Sequence, residues 1–259
     1  LLNVASGRLH GDEIWLTAAA GLAFSLAAPL LYALEFVLGF ELIDRFFKKK
    51  RSVSVVGALR KPHATSVRRL LILSGHHDSA PENTWLHFLG YGMLFLSMTH
   101  FLGFATLLLM NVIQLAGVII GSPDTVRLGT IGWALLVFPI GPSIVYAAFF
   151  NMGWKGGGTV PGAADNLSAC ALVVGMGRFL AENPSCIPED TEIRLICFGS
   201  EEAGLRGSRR YVERHLEELR RLGARVLNFE TVVHPEITIL TSDVNGSVRN
   251  DPEMVKGTV

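Results

Sequence analysis

The sequence predicts an α/β domain with a largely parallel sheet, joined to transmembrane α-helices. Three observations carry this. Short apolar runs alternate with helical stretches, the pattern of strands linked by helical crossovers. Two tracts, Trp15–Leu34 and Trp85–Gly121, hold no Asp, Glu, Lys or Arg, and a third, Leu128–Phe150, reads the same way. Histidine and carboxylates stand just after several apolar runs, where open α/β sheets hold their ligands.

Composition agrees. The 259 residues are 49% apolar and mean hydropathy is +0.38, both high for a water-soluble chain. The 23 Lys and Arg balance 23 Asp and Glu, so no nucleic-acid partner is implied by bulk charge. The charge is unevenly placed. Nine basic residues and no acidic one fall between Arg45 and Arg69, as on the cytoplasmic flank of a membrane helix. Cys170, Cys186 and Cys197 form no Cys/His zinc pattern; Cys170 and Cys197 sit in apolar stretches and read as buried thiols.

Taken in order, residues 1–51 read as an N-terminal transmembrane helix with a basic juxtamembrane flank. Trp15–Leu34 has the length a helix needs to cross a bilayer core, and ELIDRFFKKKR after it looks interfacial. Residues 52–84 carry two strands, SVSVVGALR and LLILS. Residues 85–155 read as a transmembrane hairpin: the run to Gly121, the turn GSPDTVR, then Leu128–Phe150 with Pro139 and Pro142 as kinks. Residues 156–259 resume the α/β domain after the glycine hinge WKGGGTVPG. There ADNLSACALVVGMGRFLAEN and SRRYVERHLEELRRLG read as helices, and TEIRLICFGS, ARVLNFETV and EITIL as strands. Two spans between the halves return the chain to the side it left, so both halves can complete one fold. The basic excess puts that side in the cytoplasm, with residues 1–13 and 121–127 outside.

Four clusters could carry chemistry. GHHDS at 75–79 places His76 two residues before Asp78, a pairing in which a carboxylate orients a metal-binding imidazole. PGAADNLSA at 161–169 puts Asp165 before a helix, where Asp165, Asn166 or Ser168 would also serve as an ordinary cap. CFGSEEAGLRGS at 197–208 follows a buried strand with Glu201 and Glu202, a water-activating carboxylate beside a metal-binding one. LNFE ends with Glu230 at another strand end. Each alone is weak. Together they make one oxygen-rich rim with a histidine, suited to two metal ions, Zn²⁺ first and Mn²⁺ or Co²⁺ as alternatives.

In that order the four motifs resemble the M28 zinc aminopeptidases, over 70–79 and 160–231. The resemblance implies a three-layer zinc-peptidase-like domain with a mostly parallel, mixed sheet. It implies His76 as a ligand of the first metal and Asp78 as the carboxylate that orients it. Asp165 would bridge both metals, Glu202 and Glu230 would each bind one, and Glu201 would be the general base. His77 fills a variable position. The family usually has Asp where Glu230 stands. Its last ligand, a histidine, comes later than His234, and only the residues from Thr231 to Val259 follow Glu230 here, so a fragment is expected.

The implied activity is a membrane-bound, zinc-dependent exopeptidase of aminopeptidase type, acting on peptides or aminoacyl groups near the lipid bilayer. Three other readings compete. A glutaminyl-cyclase-like enzyme would use one zinc. A receptor or scaffold with a relic peptidase domain would have lost ligands, yet each readable position keeps an acid or a histidine. A transporter is favoured by hydrophobicity alone, with Glu35 the one plausible intramembrane charge.

Overall fold

A computed structural model describes residues 12–121, 134, 141, 158–243 and 248–258. Of the predicted third apolar run all but 134 and 141, of the turn residues 122–127, and of the glycine hinge residues 154–157 lie outside the described residues. The elements are α1 (Asp12–Tyr32), β1 (Val55–Leu59), β2 (Arg69–His76), α2 (Thr84–Leu89), α3 (Gly92–Ile120), α4 (Ser168–Glu182), β3 (Thr191–Phe198), α5 (Arg206–Arg221), β4 (Arg225–Asn228) and α6 (Pro252–Thr258). The chain divides into two compact units, Leu1–Leu42 with Pro81–Gly158, and Ile43–Ala80 with Thr159–Val259.

The second unit is the α/β domain. Its sheet runs in the order β1-β3-β2-β4, with β1 antiparallel to β3 and the other pairs parallel. Side chains alternate across a strand, so β2 feeds two cores. Leu70 and Ile72 pack with Ile196, Phe198 and Leu222, against Tyr211 and Leu219 of α5. Leu73 packs on the other face with Ile193 and Ile187, against Met176 and Leu180 of α4. Each such buried Leu or Ile contributes roughly 1.5–3 kcal/mol relative to exposure. The result is helix, sheet, helix, the three-layer arrangement.

Connection order explains why the two helices lie on opposite faces. From β2 the chain passes through α4 to β3 on one side; from β3 it passes through α5 to β4, beyond β2 on the other. Right-handed crossovers in opposite directions place their helices on opposite faces. The loops leaving β2 and β3 therefore diverge, which opens a crevice at their carboxyl ends.

A buried charge network stands at the start of β3. Glu192 and Arg194 pair directly, 2.6 Å apart, although one is 2% and the other 9% exposed at the side chain. Arg194 also reaches Glu218 and the Tyr211 hydroxyl of α5, and Arg60 donates to Glu192. The sequence had marked Glu192 and Arg194 only as members of an apolar strand.

The first unit holds α1 and α3, both long and apolar enough to cross a membrane. They meet at small and polar residues. Asn111 donates to the Ser25 hydroxyl (2.7 Å), and Gly21 leaves room for the Asn111 side chain, whose Oδ1 a Cβ would strike. The apolar run is not one helix. Gly90 ends α2 at φ 52°, which glycine adopts without strain, and α3 starts two residues later. A second difference concerns EITIL, which forms no strand. Among the described residues no strand pairs with it, and β-branched composition alone does not hold an unpaired segment extended.

Candidate functional site

The crevice gathers the four clusters. His76 is the last residue of β2 and is 3% exposed. Its Nδ1–H donates to the Asp78 carbonyl oxygen at 3.2 Å. That bond turns the Nε2 lone pair outward. Around Nε2 stand Asp165 Oδ1 at 3.2 Å, Glu230 Oε1 at 3.3 Å and Glu201 Oε2 at 3.5 Å. Donor atoms of His76, Asp165 and Glu202 also lie within 4.8 Å of one another.

Asp78 stands differently from expectation. Its carboxylate is 3.6 Å from His76 Nδ1, too far for a hydrogen bond. It accepts instead from the backbone N–H groups of Glu201 and Glu202, at 3.1 Å each. Asp78 thereby fixes the loop that presents both glutamates, while its carbonyl orients the imidazole. His77 faces away, donating from Nε2 to the Val53 carbonyl at 2.9 Å.

The polar residues around Asp165 are not helix caps. The residue before α4 makes no capping bond through its side chain. The buried Asn166 donates to Phe229 O and accepts from Thr231 N, and Ser168 accepts from Val232 N. These three bonds staple the loop carrying Glu230 to the segment carrying Asp165. The Asp165–Asn166 peptide is cis. Sequence reasoning had read Asn166 and Ser168 only as alternative caps; no local pattern marks a partner more than sixty residues away.

Other neighbours support the rim. Ser74 donates to Asn228 Oδ1 at 2.8 Å, joining β2 to the end of β4. Gly75 leaves space for α4, since a Cβ there would come within 2.9 Å of Ala169 Cβ. Cys170 is buried as expected, whereas Cys197 is only half-buried. Burial, with Cys197 beside it, pushes the Cys170 thiol up to about 12, so it stays protonated and donates to His76 O. A mainly apolar cavity of about 570 Å³ on the α5 face has His76 and Glu201 at one end and Phe198, Leu205 and Tyr211 in its wall.

Electrostatics shows what the crevice lacks. Burial raises Glu201, Glu202 and Glu230 above the ordinary glutamate value, and neighbouring carboxylates push them further, with His76 opposing. Burial disfavours protonated His76, yet Glu201 and Glu230 outweigh it and its pKa rises. Glu202 Oε1 is buried with no hydrogen-bond partner. Crowded carboxylates with an orphaned oxygen call for a cation. Donors around one tetrahedral zinc at about 2.0–2.1 Å lie about 3.3 Å apart. The separations from His76 Nε2 to Asp165 and Glu230 match that spacing, so the residues fit a metal.

Comparison with known proteins points the same way. Residues 149–255 match the profile of Peptidase family M28. Aminopeptidase YwaD of Bacillus subtilis (strain 168) is 48% identical over 58 residues, which is 22% of this chain and 12% of that protein. The matched stretch thus spans a small part of that relative. No solved structure matches the chain at a significant level. Over residues 149–255, less than half of its length, the chain is similar to peptidase family M28.

Proposed function

We propose that the chain forms the catalytic part of a membrane-bound, zinc-dependent exopeptidase of aminopeptidase type. The observation that carries the reading is the convergence of three carboxylates on one buried imidazole nitrogen, beside a glutamate oxygen with no partner. His76, Asp165, Glu202 and Glu230 would hold the metal: Asp165 would belong to two groups of ligands, with Glu202 and Glu230 in one each, and His76, with one free nitrogen, would serve a single ion. Bound there, zinc would supply Lewis acidity, acidifying water and polarising a carbonyl.

The chain's own residues do the rest. Glu201 Oε2 lies 3.5 Å from His76 Nε2 and its pKa is raised, so it exchanges protons nearer neutrality than a free glutamate. In hydrolysis the oxygen of water joins the carbonyl carbon as the C–N bond breaks. Glu201 takes the proton from that water and returns it to the leaving amine. Asp78 keeps Glu201 in place through the loop backbone.

α1 and α3 support a membrane-bound enzyme by length and composition. We place its site on the cytoplasmic side, with residues 85–155 inserted between the two halves, 52–84 and 156–259, of the peptidase domain. Substrates would be peptides or aminoacyl groups arriving at the bilayer surface. The test is hydrolysis of aminoacyl substrates by wild type and Glu201→Gln. The variant should lose about 10²–10⁴-fold in kcat, the usual worth of a general base, while keeping its metal. Unchanged turnover in the variant would rule Glu201 out.

A further inference from the structure

After the first apolar helix the chain enters the α/β unit at Ile43, well before β1 begins. A 3₁₀ turn at Asp44–Phe46 is followed by an extended stretch into β1, all in the same compact unit as the crevice. This stretch touches the loop of Glu201 and Glu202 at both ends. Asp44 takes a two-point bond from Arg206, Nε to Oδ2 at 3.0 Å and Nη2 to Oδ1. The same guanidinium donates through Nη1 to Ala203 O, and Arg206 N donates to Ser200 O. At the far end the Gly199 N–H donates to Ser54 Oγ at 3.3 Å. Arg206 thus ties Asp44 to both sides of the catalytic loop.

Between those anchors the side chains point to solvent. Phe46 and Phe47 are 74% and 68% exposed. Lys48, Lys49, Lys50 and Arg51 are all exposed; Lys49 is near enough to Asp44 to favour its ionised form, but no close ion pair holds any of the four among the described residues. Arg45 lies over the Phe46 ring, 5.0 Å from its centroid, and none of the six side chains joins a hydrophobic core cluster. Two exposed aromatics beside four consecutive cations match an anionic lipid surface: aromatics seat at headgroup level and cations meet phosphate and carboxylate charge. Nucleic acid would match the cations but leaves no role for an aromatic pair directly following an apolar helix.

We propose that residues 44–54 are a strap that binds anionic lipid headgroups through Phe46, Phe47 and Lys48 to Arg51, and passes that engagement to the Glu201–Glu202 loop through the Asp44–Arg206 ion pair. The second half rests on the functional reading above; the lipid contact does not. Arg206 is then a positioning residue, acting through the loop it clamps.

The experiment uses the full chain in nanodiscs of phosphatidylcholine, alone or with phosphatidylserine. An environment-sensitive fluorophore at Phe47→Cys, in a Cys186→Ser background, reports lipid contact. Hydrogen exchange over 199–206 reports the loop, independently of activity. The expected result is a blue shift with phosphatidylserine that vanishes in the Lys48→Gln, Lys49→Gln, Lys50→Gln, Arg51→Gln variant. Loop exchange should slow several-fold with phosphatidylserine in wild type and Asp44→Glu, but not in Asp44→Ala, which keeps the blue shift. Equal signals in both lipids, a blue shift that survives the fourfold variant, or a larger shift on adding an oligonucleotide would overturn the lipid contact. A lipid-dependent loop in Asp44→Ala would overturn the coupling. If both responses appear and no aminoacyl substrate is cleaved, the strap stands and the peptidase reading falls.

Discussion

At the scale of the residue, the crevice is a problem of unbalanced charge solved by placement. His76 is fixed by a backbone carbonyl, so its free nitrogen meets Asp165, Glu201 and Glu230 together. His76, Glu201, Glu202 and Glu230 were legible in the sequence because each follows an apolar run, and strand ends are where such residues converge; Asp165, before a helix, was legible only from its place in the order of the motifs. The residues that hold them were not legible. Asn166 is the clearest case: as the neighbour of Asp165 it looked like a cap, but it bridges to 229 and 231. Asn166→Ala leaves Phe229 O and Thr231 N without partners, so thermal unfolding should show a loss of about 1–3 kcal/mol. Zinc affinity should fall with it, as Glu230 loses its support. An unchanged affinity would show that Glu230 is held some other way. Asp78 was legible as a functional residue but its partner was not, since its bonds run to backbone amides that no motif displays.

At the scale of the element, four strands and the helices α4 and α5 follow the sequence closely, because burial on one or both faces writes its period into the residues, while α6 was not read from it. The misreadings share a cause. EITIL has strand composition without a pairing neighbour, and Trp85–Gly121, longer than one span requires, has helix composition that does not display the glycine where the chain turns. Glu192 and Arg194 show a subtler case, polar residues inside an apolar strand that pair with each other and with α5. Burial opposes ionised Glu192, but its bonds from Arg194 and Arg60 prevail and hold its pKa below the ordinary 4.5. A depressed carboxylate stabilises the fold above that value and loses its contribution as pH falls through the folded value. Wild type should therefore lose thermal stability on acidification below about pH 4.5 more steeply than Glu192→Gln. Parallel acid profiles would contradict this. Arg194→Met at neutral pH leaves the buried Glu192 carboxylate with Arg60 alone and should cost about 1–3 kcal/mol, read by denaturant unfolding. A loss within about 0.5 kcal/mol, as for a surface change, would show that the pair is not felt.

At the scale of the whole molecule, the structure builds one domain from residues 43–80 and 159–259 around a single sheet, and we propose that residues 85–155 cross the membrane twice between those halves. The basic excess at 45–69 would then put that domain in the cytoplasm and residues 121–127 outside. Asp124→Cys in a Cys186→Ser background should react with a membrane-impermeant maleimide added outside intact cells. Reaction only after permeabilisation would reverse the orientation and move the crevice to the other side. The central claim is that the crevice is a two-metal hydrolytic site, and its most direct test is zinc content per chain of the folded natural protein, in wild type and in Asp165→Asn. The account predicts two zinc ions in wild type and fewer in the variant, since Asp165 would belong to both groups of ligands. No zinc in a folded wild type, or two in both proteins, would contradict it.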